Sequence, residues 1–108
     1  MGRWAQARRA GGGISGVTFP EVSGLYTEDV GGYVRVNWSA TFDPDQWLIE
    51  WNGWSGAEWV FISIYSEVGT ARFHQTNLST DGTSRFRITS RIGGNFSGPG
   101  DWVEWQAP

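Results

Sequence analysis

Residues 33–51 read Tyr-Val-Arg-Val-Asn-Trp-Ser-Ala-Thr-Phe-Asp-Pro-Asp-Gln-Trp-Leu-Ile-Glu-Trp and carry the clearest structural signal in the chain. Val34, Val36 and Trp38 alternate with Arg35 and Asn37. Trp47, Ile49 and Trp51 alternate with Leu48 and Glu50. Alternation with a period of two marks a strand with one buried face. Between the two runs lies Ser39–Gln46, where Pro44 is flanked by Asp43 and Asp45, residues that favour turns. Two strands that each point tryptophans inward form the centre of an all-β core. The expectation is that they lie on opposite sheets, with Trp38 facing Ile49, and that Val34, Val36, Trp38, Trp47, Ile49, Phe86 and Ile88 are buried together.

Toward the C-terminus, Asn52–Gly56 reads as a turn that sets Trp54 at a loop tip. Trp59–Tyr65 follows as a β-branched and aromatic run, apolar on both faces, which predicts a strand that is central or covered on both sides. A bare outward face there would be a partner surface or an aggregation hazard. Glu67–Thr70 reads as a short hairpin turn, Ala71–Leu78 as a weaker strand and Asp81-Gly82 as a turn. Ser84–Ser90 alternates again, with Phe86 and Ile88 inward. Arg85, Arg87 and Arg91 then form an outward row, paired with Glu50 or Glu104 on neighbouring strands. Ile92–Asp101 is a Gly/Pro/Ser loop around Phe96, and Trp102–Trp105 is the last strand. Toward the N-terminus, Thr27–Gly32 is a loop and Ile14–Gly24 a weak strand. Residues 1–13, with Gly11-Gly12-Gly13, read as a flexible extension or linker, and residues 14–108 as the folded domain. About seven short strands separated by turns are the mark of a β-sandwich.

Composition narrows the function. The chain has 108 residues, a size that suits one domain. Eight Trp, six Phe and three Tyr supply core volume where the overall hydrophobic fraction is only 39%. There is no Cys, so neither disulfides nor thiol chemistry operate. Lysine is absent and all eight cations are Arg, which excludes Schiff-base chemistry. With a net charge of −3 and no extended charge block, nucleic acid has no electrostatic foothold. No apolar stretch suits a secretory signal or a membrane span.

At this point the residues resemble a known family. The segment Pro20–Trp105 resembles a fibronectin type III domain. The inward tryptophan of the family's second strand is matched by Val34-Arg35-Val36-Asn37-Trp38, and its third strand by Trp47-Leu48-Ile49-Glu50-Trp51. Leu78 matches the leucine before the sixth strand. Gly82 followed by Arg85-Phe86-Arg87-Ile88 matches that strand, and Ser97-Gly98-Pro99-Gly100-Asp101-Trp102 the last loop. One position departs. The family's tyrosine corner falls at Ser84; either the register slips by one, or a tryptophan fills the corner, or the branch is divergent. The resemblance implies a seven-stranded immunoglobulin-like sandwich without a cofactor. It implies an interaction or spacer module of a larger extracellular, surface or virion protein, such as a phage tail-tip host-attachment protein. Its partners would be neighbouring domains or subunits, or a cell-surface receptor or glycan.

Catalytic constellations are thin. His74 is the single histidine, read as a strand-surface residue, and neither a Cys–His dyad nor an ordinary zinc site exists. Asp43 and Asp45 have no EF-hand spacing, and a chain this short builds no glycosidase cleft; they read as turn-capping carboxylates. The sequons at Asn37, Asn77 and Asn95 matter only in a eukaryotic secretory setting. In the sandwich, Ser39–Gln46, Glu67–Thr70 and Ile92–Gly100 converge at one end. Phe42, Asp43, Asp45, Asn95 and Phe96 of those loops are the binding candidates, with Trp54 at the other end. The alternative reading is a carbohydrate-binding accessory module, for which Trp54 and Trp59 would need to be coplanar.

Overall fold

A computed structural model describes residues 16–108; the expected flexible extension over 1–13 lies outside these residues. Eight strands follow in order: β1 (Val22–Val30), β2 (Tyr33–Ala40), β3 (Gln46–Trp54), β4 (Trp59–Val68), β5 (Phe73–Ser79), β6 (Ser84–Ile92), β7 (Asn95–Phe96) and β8 (Val103–Trp105). They build two antiparallel sheets. One has the order β1-β2-β5; the other runs β4-β3-β6, with β7 and β8 both paired to β6. This is the expected sandwich. Its seventh strand is interrupted and reaches β6 as the two pieces β7 and β8.

The core consists of the seven residues that alternation selects. Val34, Val36, Trp47, Ile49 and Phe86 are fully buried, and Trp38 and Ile88 retain 3% exposure. Trp38 from the first sheet meets Trp47 from the second edge to face, with ring centroids 5.7 Å apart. That arrangement places a positive ring edge on a negative ring face. Trp38 therefore has Trp47 as its aromatic counterpart, beside Ile49 in the same cluster.

Several boundaries differ from the sequence reading, each for a physical reason. β1 starts at Val22, so Val17 and Phe19 precede it, and it continues through Thr27–Val30 where a loop was expected. The cause is Gly31-Gly32. Both have positive φ, 65° and 89°, and close a two-residue hairpin with Val30 opposite Tyr33. Turns of this kind match strand twist and need no longer loop. Gly93-Gly94 likewise sets Ile92 opposite Asn95, turning part of the expected last loop into β7. Glu67–Thr70 is not a hairpin turn, because β4 and β5 belong to different sheets and the chain crosses between them there. β4 is an edge strand rather than a central or covered one, and Val60, Phe61, Ile62, Ile64 and Val68 are exposed on it.

His74 is buried rather than on the strand surface. It pairs with Val36 in register, and residues opposite one another share a face, so it points inward. Its Nδ1 lies 2.6 Å from a Glu67 carboxylate oxygen. Its ring stacks on Tyr65 at 4.6 Å, and Tyr65 stacks on Trp51 at 6.0 Å. The stack closes the side of the sandwich between β4 and β5.

The corner before β6 is filled by a tryptophan. Ser84 is buried and sits opposite Trp105, and the Trp105 indole N–H donates to the Thr80 carbonyl at 2.9 Å. The small Ser84 side chain leaves room for the neighbouring strand to supply the ring, and with it the bond that a tyrosine corner makes to the upstream backbone. Trp105→Phe keeps a ring and removes the donor, leaving the Thr80 carbonyl without it. A loss of about 1–2 kcal/mol in unfolding free energy is expected, read from the urea midpoint at unchanged slope.

Candidate contact surfaces at the loop end and on the outer sheet face

The three loops expected to converge do so. Residues 41–45, which link β2 to β3, are tied to both others. The Arg72 guanidinium, in the β4–β5 connection, pairs with Asp43. Asp45 accepts the Gly93 N–H at 2.7 Å, and its own N–H donates to the Arg91 carbonyl at 2.9 Å. Thr41 is held from the other side by reciprocal bonds with the Glu21 backbone. Gly69 lies so close under Pro44 that a Cβ would stand 1.7 Å from the Pro44 carbonyl oxygen. The Gly69 carbonyl receives the buried Trp47 indole N–H and an Arg72 N–H, both at 2.9 Å.

This geometry sorts the binding candidates by role. Asp43 and Asp45 spend their carboxylates on tying loops together. Asn95 is half-buried within β7. Phe96 also belongs to β7 rather than to a free loop, yet its side chain stays exposed, as does Phe42 in the first loop. The loop end is thus a braced platform that shows two phenylalanines to solvent.

Trp54 is not at a loop tip. It is the last residue of β3, opposite Trp59, and the turn beyond it is residues 55–58. The Ser55 hydroxyl organises that turn by accepting the Glu58 N–H at 3.1 Å. Trp54 and Trp59 meet edge to face at 63°, so they are not coplanar. Trp59 in turn begins a ladder over the outer face of the second sheet. The Arg85 guanidinium lies 4.6 Å from the Trp59 ring centre and 3.9 Å from that of Trp102. Arg87 stacks on Trp102 at 4.3 Å and donates to Glu50 at 2.8 Å. Arg85 stands opposite Glu104 in register but bonds the Asn52 side-chain oxygen at 3.1 Å. The expected pairing with Glu50 therefore holds for Arg87, while Arg85 is held by two indoles and an amide. Sequence reasoning missed Trp102 as a stacking partner. The available signal was that Arg85 and Arg87 share outward parity beside a strand entered through a tryptophan.

No family model and no curated protein matches the sequence. Among solved structures, the fibronectin type III domain of human collagen XX is similar, with a TM-score of 0.59 and 21% identity over 81% of this chain and 92% of that one. At that identity the likeness is one of architecture: the chain has the fold of a fibronectin type III domain.

Gly69→Ala is expected to cost about 1–3 kcal/mol, because the added methyl must displace backbone rather than a flexible side chain. Thermal unfolding of the variant reads it directly. Burial raises the Tyr65 hydroxyl above its ordinary value of 10.0. The unfolded chain then loses this proton first, so the associated stability is present below pH 10 and lost as pH rises through the folded value. Urea midpoints followed from about pH 8 to about pH 11 should fall less steeply in Tyr65→Phe than in the wild type.

Proposed function

We propose that this domain is a non-catalytic interaction module that engages a protein partner through its loop end. The observation behind this reading is the bracing of three loops beneath the exposed Phe42 and Phe96. A platform already fixed in place loses little conformational freedom on binding, so more of the contact energy is available for affinity. Exposed aromatic side chains on rigid loops act as anchors in such contacts. The one histidine is engaged by Glu67 and stacked on Tyr65, away from solvent, which suits a frame rather than a catalyst. The setting in this reading is a larger surface or virion protein, such as the host-attachment tip of a phage tail. Its support is the fold and the glycine-rich, cysteine-free composition.

The test is comparative capture from extracts of the source cells or virions. A protein retained by the wild type and by Trp54→Ala, and lost with Phe42→Ala/Phe96→Ala, is the expected outcome. Retention untouched by the double substitution would argue against the loop end. A response on a broad glycan array, abolished by Trp54→Ala, would favour the carbohydrate reading instead.

A further inference from the structure

Arg85 is the side chain that neither the core nor the loop end explains. It is half-buried near the start of β6, with its guanidinium between the Trp59 and Trp102 rings, 4.6 and 3.9 Å from their centres. The rings cover the faces of the guanidinium and leave its edge open. Its Nε–H donates to Asn52, and among the described residues nothing accepts from its η nitrogens. No carboxylate answers its charge either: among the described residues the ion pairs are Arg72–Asp43, His74–Glu67 and Arg87–Glu50. Glu104 stands opposite Arg85 in register, yet its carboxylate accepts from the Gln106 amide. Arg35 and Arg91 bond amides as well, but among the described residues neither is held between two rings.

We propose that the open edge of Arg85 receives a carboxylate carried by an acidic peptide of a partner protein. A planar carboxylate matches the guanidinium fork and accepts two parallel bonds from it. The flanking indoles keep water from both faces, which strengthens a charge-assisted bond made at the edge. They also fix the plane of the fork before the ligand arrives, so little side-chain freedom is lost on binding. Arg87 stacks on the same Trp102 ring at 4.3 Å and gives its Nε–H to Glu50, so a second fork lies beside the first. Two observations select the ligand. Glu50 stands opposite Arg87 and Glu104 opposite Arg85, and these carboxylates oppose a doubly charged phosphate more than a singly charged carboxylate. An acidic sugar would stack its ring on an indole, but these faces are in use. Trp102 carries two guanidiniums, and Trp59 carries one and meets Trp54. A peptide needs no ring face and brings its carboxylate on a side chain.

Fluorescence anisotropy of a dye-labelled Gly/Ser peptide with glutamates at alternate positions, titrated with the 108-residue chain, tests the proposal. The same peptide with glutamine in place of glutamate is the control. The glutamate peptide alone should bind, with a dissociation constant of about 1 mM or tighter. Raising the salt from about 20 mM to about 500 mM should weaken it, because the contact lies at the surface. Arg85→Gln should weaken it at least about tenfold, the scale of a lost charge-assisted pair. Arg85→Lys keeps the charge and loses the fork, so its affinity should fall between the two. Glu104→Gln leaves the stacked rings untouched and removes the carboxylate opposite the fork, and should tighten binding about two- to fivefold. Near-UV circular dichroism of each variant reports whether the aromatic packing is kept. Absence of binding, equal binding of the glutamine peptide, an affinity unchanged in Arg85→Gln, or preference for a uronic-acid oligosaccharide over the peptide would overturn the proposal. The loop end meets β6 at Arg91, at the far end of the strand from Arg85. Phe42→Ala/Phe96→Ala therefore leaves the peptide affinity unchanged, and the two readings fail separately.

Discussion

Trp47 is the side chain on which both the sandwich and its loop end depend. Its ring packs against Trp38 of the opposite sheet, and its indole N–H reaches the Gly69 carbonyl. Arg72 lies over the ring and completes the link to Asp43. A buried indole donor left unmet is costly, and of the three indoles Trp38, Trp47 and Trp51 it is Trp47 whose buried N–H finds a partner, while those of Trp38 and Trp51 do not. That bond ties the β4–β5 connection to the core. The connection in turn fixes Pro44, since Gly69 alone can approach it so closely. Core packing and loop position are therefore one constraint rather than two.

The two faces of the β4-β3-β6 sheet use aromatic residues differently. Inside, Trp47 and Trp51 exclude water. Outside, Trp59 and Trp102 hold Arg85 between them, and Arg87 continues the stack to Glu50. A planar guanidinium can lie flat on an indole and still donate from its edge, which an ammonium cannot do. The all-arginine cation set thus has a structural use on this face. Cation–π contacts of this kind, each worth about 0.5–1 kcal/mol at exposed sites, order the outer face without burying an unpaired charge.

How much was legible depended on whether the signal was local. The core was legible because β2, β3 and β6 alternate cleanly and their inward positions carry the bulk. β5 misled for the opposite reason. Its largest residue, Phe73, points outward beneath Arg35, while His74 and Thr76 point inward, so hydrophobicity and facing disagree. β4 is apolar on both faces and gives no period from which to tell an edge from a centre. The convergence of three loops followed from topology alone. The use of Asp43 and Asp45 did not, because their partners Arg72 and Gly93 lie 29 and 48 residues away. The tryptophan at the corner was one of three options left by Ser84, and only the pairing of β8 with β6 chooses among them.

The ties at the loop end also set how this surface can drift over evolutionary time. In a sandwich whose loops hang free, each loop changes without reference to the others. Here Asp43, Pro44 and Asp45 are members of the frame, so substitutions in them are felt in two other loops at once. The partners are not equally restricted. Gly93 contributes a backbone N–H, which any residue able to hold a φ of 59° supplies, whereas Arg72 contributes a specific fork of donors. Substitution is expected to cost least at positions such as 42 and 96, whose side chains are exposed and bear no tie. The fold thereby separates the residues that hold this surface in shape from those whose side chains bear no part of that frame.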